Sequence, residues 1–274
     1  MEHLNHLLNV LFGVMLSPFQ GRGIWYGMIA VSLISSIVLL TIFKVTSKQQ
    51  AIRRNKNRAV ARLLELLLFK DDIVVNLGAL WRTTLANVAY MGTVVRPLLF
   101  SLVPFALILI QVSVWFANRP LKPGETVLMK ATFTSDAIAT LQAVSVEPTP
   151  GVTMDTQVVR IPSRNEVAWR IRAGNNGPQS VDLLVDGASE RKTIVVGDAP
   201  CPVSPVRVRA GLWTELTNPS EAPLPAAGSL VRIKVDYPST NFTLAGFHLH
   251  WLLVYIILTM VMAWALKKPF RVEI

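Results

Sequence analysis

The apolar positions of this chain follow two patterns. Three runs are apolar almost without a break: Ile24–Phe43, Pro97–Ala117 and Phe247–Leu266. Between the second and third, short runs alternate polar and apolar residues. A helix of about 20 residues, rising ~1.5 Å per residue, crosses the ~30 Å hydrocarbon core of a bilayer. Each unbroken run meets that length, so each is expected to be a membrane span. Trp25, Tyr26, Trp115 and Trp251 lie at the ends of these runs, where an interfacial aromatic belt would place them.

Shorter helical patterns flank the first span. Leu4, Leu7, Leu8, Leu11, Val14 and Met15 recur at spacings of three and four until Pro18. They predict an amphipathic helix too short to cross, lying on the outer leaflet or extending the first span. After the span, Thr46–Lys70 reads as a helix with Thr46 or Ser47 as N-cap, basic in its first half and apolar in its second. Asp71 and Asp72 follow, and either can cap a second helix. Its apolar residues Ile73, Leu77, Leu80, Trp81, Leu85, Val88, Met91 and Val95 keep a 3.6-residue period. The pair predicts a helical hairpin whose second arm enters the membrane at Arg96-Pro97. Arg96 would sit at headgroup level, and Pro97 would bend or restart the helix.

The alternating runs are Thr126–Phe133, Ala139–Val146, Gln157–Ile161, Val167–Ala173, Ser180–Val185 and Lys192–Val196. Turn residues bound them, including Gly174-Asn175-Asn176-Gly177 and Asp186-Gly187. Six or seven strands at this spacing predict an Ig-like β-sandwich with Trp169 as core anchor. Residues 198–229 are rich in proline and read as an ordered crossing or linker rather than a second core, before one more strand at Leu230–Tyr237. The expected fold is therefore an α-helical membrane protein with three transmembrane helices, a cytoplasmic helical hairpin and an extracytoplasmic all-β Ig-like sandwich domain. Its parts are an outer amphipathic helix (1–23), spans at 24–43, 97–117 and 247–266, and the hairpin at 44–96. The β-domain with its Pro-rich return occupies 118–246, and a cytoplasmic tail 267–274.

Composition supports a membrane class. The 274 residues are 51% hydrophobic and 16% charged, with a mean hydropathy of +0.44. Such a chain is too apolar for disorder. Cys201 is the lone cysteine, which excludes a disulfide scaffold. The net charge of +10 points to nucleic acid or to a membrane, and its distribution decides. Residues 44–96 carry ten bases against three acids, and residues 267–274 three against one. Residues 118–246 are nearly balanced, with thirteen bases and twelve acids. The positive-inside rule then places 44–96 and the tail in the cytoplasm, with the N-terminus and 118–246 outside. A bacterial inner membrane is the expected location, with the β-domain in the periplasm.

Candidate chemistry is sparse. His248 and His250 form the nearest approach to a metal pair, but no third ligand stands near them. They read better as interfacial histidines. Cys201 has no histidine near it in sequence that would make it a nucleophile. No phosphate loop, nucleophile elbow or zinc-protease motif occurs, so neither a catalytic constellation nor a cofactor or metal is expected. Polar residues in the spans are Ser32, Ser35, Ser36, Thr41, Ser101, Gln111, Ser113 and Thr259. None ionises, which argues against a proton relay. The bases Arg53, Arg54, Lys56, Arg58, Arg62 and Arg96 suit anionic lipid or weak contact with a ribosome. With Trp81 the only tryptophan among residues 44–96 to serve as a stacking platform, they do not suit sequence-specific nucleic acid.

The order of parts resembles the YidC-type insertase superfamily, which includes small three-span relatives. Closest are Leu63–Gln111, with Lys70-Asp71-Asp72 between two helices, then Arg96-Pro97-Leu98-Leu99 and Val103-Pro104 at the second span. The tail Ala265–Ile274 also resembles the ends of bacterial three-span proteins with an outer β-domain. The resemblance implies a non-catalytic insertase or membrane-protein assembly factor. Ser32, Ser35, Ser36, Ser101 and Gln111 would line a groove for clients, and the basic hairpin would receive clients or ribosomes. This chain departs from that pattern in having no charge within a span and a large β-domain between the second and third. The alternative is a scaffold subunit of a cell-envelope complex that docks partners through its outer domain.

Overall fold

The computed structural model describes residues 2–68, 73–135, 143–148, 151–244 and 246–272. The architecture is mixed, with long apolar helices and a multi-stranded β region. Four helices precede the strands: α1 (Glu2–Leu16), α2 (Ile24–Thr46), α3 (Gln49–Leu68) and α4 (Ile73–Phe116). The strands follow as β1 (Thr126–Phe133), β2 (Ser145–Pro148), β3 (Val152–Met154), β4 (Val159–Ile161), β5 (Glu166–Ala173), β6 (Gly177–Val185), β7 (Ala188–Val196) and β8 (Val206–Val208). A short helix α5 (Leu212–Thr217) comes before β9 (Leu230–Val235). The hairpin β10 (Asn241–Leu244) and β11 (Phe247–His250) then leads into α6 (Trp251–Leu266).

Two helices are long and apolar enough to cross a membrane: α2, and the Leu80–Phe116 part of α4. The third expected span is corrected. Phe247–His250 is not helical but pairs antiparallel with Asn241–Leu244, and Gly246 makes the turn at φ +86°. The helix begins only at Trp251 and has 16 residues, about 24 Å of rise. Of the bend or restart expected at Pro97, the restart does not occur. α4 continues through both Pro97 and Pro104 for 44 residues, about 66 Å. Each proline removes one amide donor. The Ser101 hydroxyl bonds the Pro97 carbonyl at 3.0 Å. Thr46 belongs to the last turn of α2, where its hydroxyl bonds the Ile42 carbonyl at 2.7 Å, so it does not cap α3. The proposed caps Asp71 and Asp72, and residues 139–142 of one predicted strand, lie outside the described residues.

The chain divides into two compact units, Met1–Ala30 with Leu109–Val254, and Val31–Ile108 with Tyr255–Ile274. In the first unit one sheet has the order β3-β5-β1-β9-β8, with β4 also on β5, and a second has the order β2-β6-β7. Every pairing in both sheets is antiparallel. Both sheets feed one apolar core, with Met129, Trp169 and Ile233 from the first and Val181, Leu183 and Ile194 from the second. Trp169 is fully buried there. Alternation accounts for this: β1 buries every second residue from Val127 to Phe133. The β6–β7 turn is the Asp186-Gly187 pair. Both residues have positive φ, as a two-residue hairpin turn demands.

Of the two readings of the Pro-rich stretch, the ordered crossing is the one observed. Val203 and Leu224 are core residues, and β8 pairs with β9. Below the sheets, Phe242 is fully buried, with Trp25 edge-on at 5.1 Å and Phe116 at 6.4 Å. Gly27 allows this approach, since a Cβ there would stand 3.3 Å from the Phe116 ring. α1 buries Phe12 and Leu16, while Leu7, Leu11 and Val14 stay exposed on one stripe. Its Asn5 and Asn9 amides bond the carbonyls of Glu215 and Pro219 at 2.8 and 2.7 Å.

Candidate functional site

The first unit holds a buried ionic network that sequence reasoning missed. Lys192 has no exposed surface. Strand alternation puts it there, in phase with the buried Ile194 and Val196 of β7. Its ammonium donates to the Ser204 carbonyl at 2.7 Å and the Ser204 hydroxyl at 3.2 Å, and it is ion-paired with Glu221. The other Glu221 oxygen accepts the Thr193 amide at 2.8 Å, and the Ser204 hydroxyl donates to the carboxylate at 2.7 Å. Burial pulls the lysine below its ordinary range, against the opposing pull of Glu221. Burial alone would raise the Glu221 carboxyl, but Lys192, Ser204 and the Thr193 amide hold it below the ordinary carboxylate range.

Chemically, this network closes on itself. A serine–lysine nucleophile pair needs a free amine to take the hydroxyl proton. Here that proton already faces Glu221, and the lysine's donors are engaged. Glu221 also separates two clefts. One of about 240 Å³ is lined by Asn5, His6 and Asn9 of α1 together with Glu215, Pro219 and Glu221. The other, about 410 Å³, includes Gly13, Trp115, Thr193 and Ser204. Both present polar side chains on an apolar frame.

Cys201 lies nearby in sequence and is half-buried, and burial pushes its thiol pKa up. A raised thiol is less reactive, not more. Tyr237, also raised by burial, accepts the Val195 amide at 3.0 Å and ties β7 to the end of β9. His248 and His250 stand exposed on β11, not in a helix. His248 approaches Thr243 at 3.4 Å, and His250 accepts the Leu252 amide at 3.3 Å. Among the described residues, no group of three or more His, Cys, Asp or Glu side chains is placed to hold a metal.

The candidate groove residues fall in both units. Ser32, Ser35, Ser36 and Ser101 belong to the second unit, and Gln111 to the first. All five are buried. The Ser36 hydroxyl bonds the Thr259 carbonyl of α6 at 2.9 Å and its own Ser32 carbonyl at 2.7 Å. Tyr255 of α6 is fully buried near Ser35 and Thr259, with its ring stacked 6.3 Å from Phe105 of α4. The serines thus pack α2 against α6, as small residues do between membrane helices. They line none of the clefts described here. The hydroxyls of Ser32, Tyr255 and Thr259, and the Gln111 carbonyl oxygen, are buried without a hydrogen-bond partner.

The predicted basic surface is partly assembled. Arg53, Arg54 and Arg58 are exposed on α3, with Lys56 and Arg62 half-buried, and Arg96 is exposed on α4. The Thr83 hydroxyl of α4 bonds the Arg62 carbonyl at 3.1 Å. Sequence reasoning missed that Arg53 and Lys56 share a cleft of about 560 Å³ with the tail residues Lys267, Lys268 and Arg271. The tail folds back to form it. The Val272 amide bonds the Lys267 carbonyl at 3.0 Å, Arg271 adopts a left-handed φ of 51°, and Val272 is buried.

Compared with known proteins, the chain matches no protein family's model, no curated protein and no solved structure.

Proposed function

We propose that this is an integral membrane protein of the cell envelope that acts as a scaffold, docking a partner through its outer β unit. α2 and α4 would cross the bilayer, with the shorter α6 as a third crossing. The two sheets, read as an Ig-like sandwich, would face the periplasm, with the N-terminus outside and the tail inside. The exposed apolar side chains Leu98, Leu99, Phe100, Leu102 and Val103 of α4 support burial in lipid. The converging ends of α2 and α6 at the tail cleft support a shared direction of crossing.

The observation that carries the scaffold reading is the burial of Ser32, Ser35 and Ser36 against α6. A groove that eases polar segments across must keep its polar groups open to them. A packed serine face instead holds a bundle together. The polar clefts lie under α1 and beside Glu221, where a partner would be held.

The second reading, a YidC-like insertase or assembly factor, is favoured by α4. Its apolar stretch of 37 residues is about 55 Å long, well beyond one bilayer core. The surplus offers an exposed apolar face at Leu80, Trp81, Leu85 and Val88 for a client segment. A strain depleted of the protein separates the two readings. Normal insertion of a panel of short-tailed membrane proteins is expected, together with a stable complex that is lost when residues 124–237 are replaced. Accumulation of uninserted clients would overturn the scaffold reading.

A further inference from the structure

We propose that α4 is a self-association seam, on which copies of this chain pack in parallel as a coiled coil. The inference rests on the membrane-spanning reading, since two copies inserted in one direction run parallel. Along α4, the residues Gly78, Trp81, Leu85, Val88, Gly92, Val95, Leu99 and Leu102 follow one another at alternating spacings of three and four. That is the seam repeat of a left-handed coiled coil, sustained over about 36 Å of rise. Every residue of the stripe is exposed, Trp81 at 66% and Val88 at 61% of its full surface. The opposite face of α4 is covered by the chain itself. Thr83, Ala86, Pro97 and Ser101 are buried there, and the Thr83 hydroxyl bonds the Arg62 carbonyl of α3 at 3.1 Å.

Lipid accounts for only part of this stripe. With Arg96 at headgroup level, the residues from Gly78 to Val95 stand outside the hydrocarbon core, where an uncovered apolar stripe would meet water. A contiguous apolar surface of this kind marks an interface. The same repeat then continues into the membrane through Leu99 and Leu102, leaving Leu98, Phe100 and Val103 to face lipid. A partner that follows the whole stripe must pass from cytoplasm to bilayer as one helix with the same repeat and direction. A second α4 does so.

The stripe also complements its own likeness. In a parallel pair each seam side chain enters a hole formed by four residues of the facing helix. The hole that receives Trp81 includes the partner's Gly78, and the hole that receives Val88 includes the partner's Ala89 and Gly92. A Cβ added at Gly78 or at Gly92 meets nothing within 4 Å, so both spaces are open in the single chain. Each copy thus carries both the bulky side chains and the bare backbone that admits them. No seam position is charged. Arg96 flanks the seam where a parallel partner presents Met91, so it meets no like charge there.

The test reads the mass of the full chain in mild detergent by light scattering, and crosslinking in native membranes. The wild type is expected to be an oligomer. Gly92→Leu fills the open space with a helix-favouring residue, so the fold is expected to stay while association weakens roughly tenfold or more. Phe100→Ala, exposed on the same helix but off the stripe, should associate like the wild type. In a Cys201→Ser background, Val88→Cys and Val95→Cys should each be joined by a short bismaleimide to the same position of a second copy. Asn87→Cys, one place off the stripe, should not. If Gly92→Leu misfolds, the cysteine variants decide. A monomeric wild type without these crosslinks overturns the proposal. So does a Val88→Cys crosslink only to a different protein, which would give the face to a client. So does a folded Gly92→Leu variant that associates as strongly as the wild type. Alkaline carbonate extraction separates the two levels. A chain released by carbonate sinks the membrane reading and the parallel seam with it. A chain that stays integral but monomeric sinks the seam alone.

Discussion

Lys192 shows how much one residue can organise. Removing its partner strands a buried ammonium, whereas removing both charges together does not. Glu221→Gln is therefore expected to cost about 3–5 kcal/mol, read as a loss of thermal stability in detergent. Lys192→Met combined with Glu221→Leu should recover most of it. The pH dependence follows from the depressed Glu221 carboxyl. The folded state releases this proton more readily than the unfolded chain. The stabilisation is complete above the unfolded carboxylate value of about 4.3 and disappears as pH falls through the lower folded value. The gap in stability between wild type and Glu221→Gln should thus narrow in acid. A gap that stays constant from neutral pH into that acid range would refute this account. The residue pattern did contain the signal, because Lys192 occupies the inward phase set by Ile194 and Val196. What it lacked was the partner. Glu221 lies 29 positions away, in a Pro-rich stretch that looks like a linker until Val203 and Leu224 are seen in the core.

At the scale of elements, strands with strict alternation were legible and short apolar runs were not. β1 and β5 match their predicted runs to within one residue, because every second side chain faces the core. Phe247–His250 runs into the apolar helix with no charged residue or proline between them, so it reads as one span with that helix. Its fate is set by pairing with Asn241–Leu244 across Gly246, a contact that periodicity within the run does not encode. The serines of α2 stand out in the sequence as polar residues within an apolar run. Their use as packing residues depends on Thr259 and Tyr255, more than 200 positions later in the chain. Gly27 belongs to this scale too, since its missing side chain admits the Phe116 ring. Gly27→Leu is expected to lower stability by about 1–3 kcal/mol through overpacking against Phe116 and Leu16. Gly13→Leu, where nothing lies within 4 Å of the added Cβ, should have a much smaller effect. Equal losses in the two variants would rule out the close approach as the reason for glycine at position 27.

For the molecule as a whole, charge placement carried more information than any motif. The basic excess of residues 44–96 and of the tail predicts which side of the membrane each faces. A single-cysteine series tests it. In a Cys201→Ser background, Arg164→Cys should react with a membrane-impermeant maleimide on intact spheroplasts. Lys268→Cys should react only after permeabilisation. Labelling of both positions from outside, or of Lys268→Cys alone, would invert or dissolve the proposed orientation.

The cleft formed by α3 and the tail also has a consequence for biosynthesis. Its two walls, residues 49–56 and 267–272, are the products of widely separated moments of translation. The first wall is made long before the second and supplies only Arg53 and Lys56 of the five cations. A nascent chain halted after α6 would carry its long helices and its β unit but lack three of the five cations. Completion of the cleft therefore waits until residues 267–272 have been made.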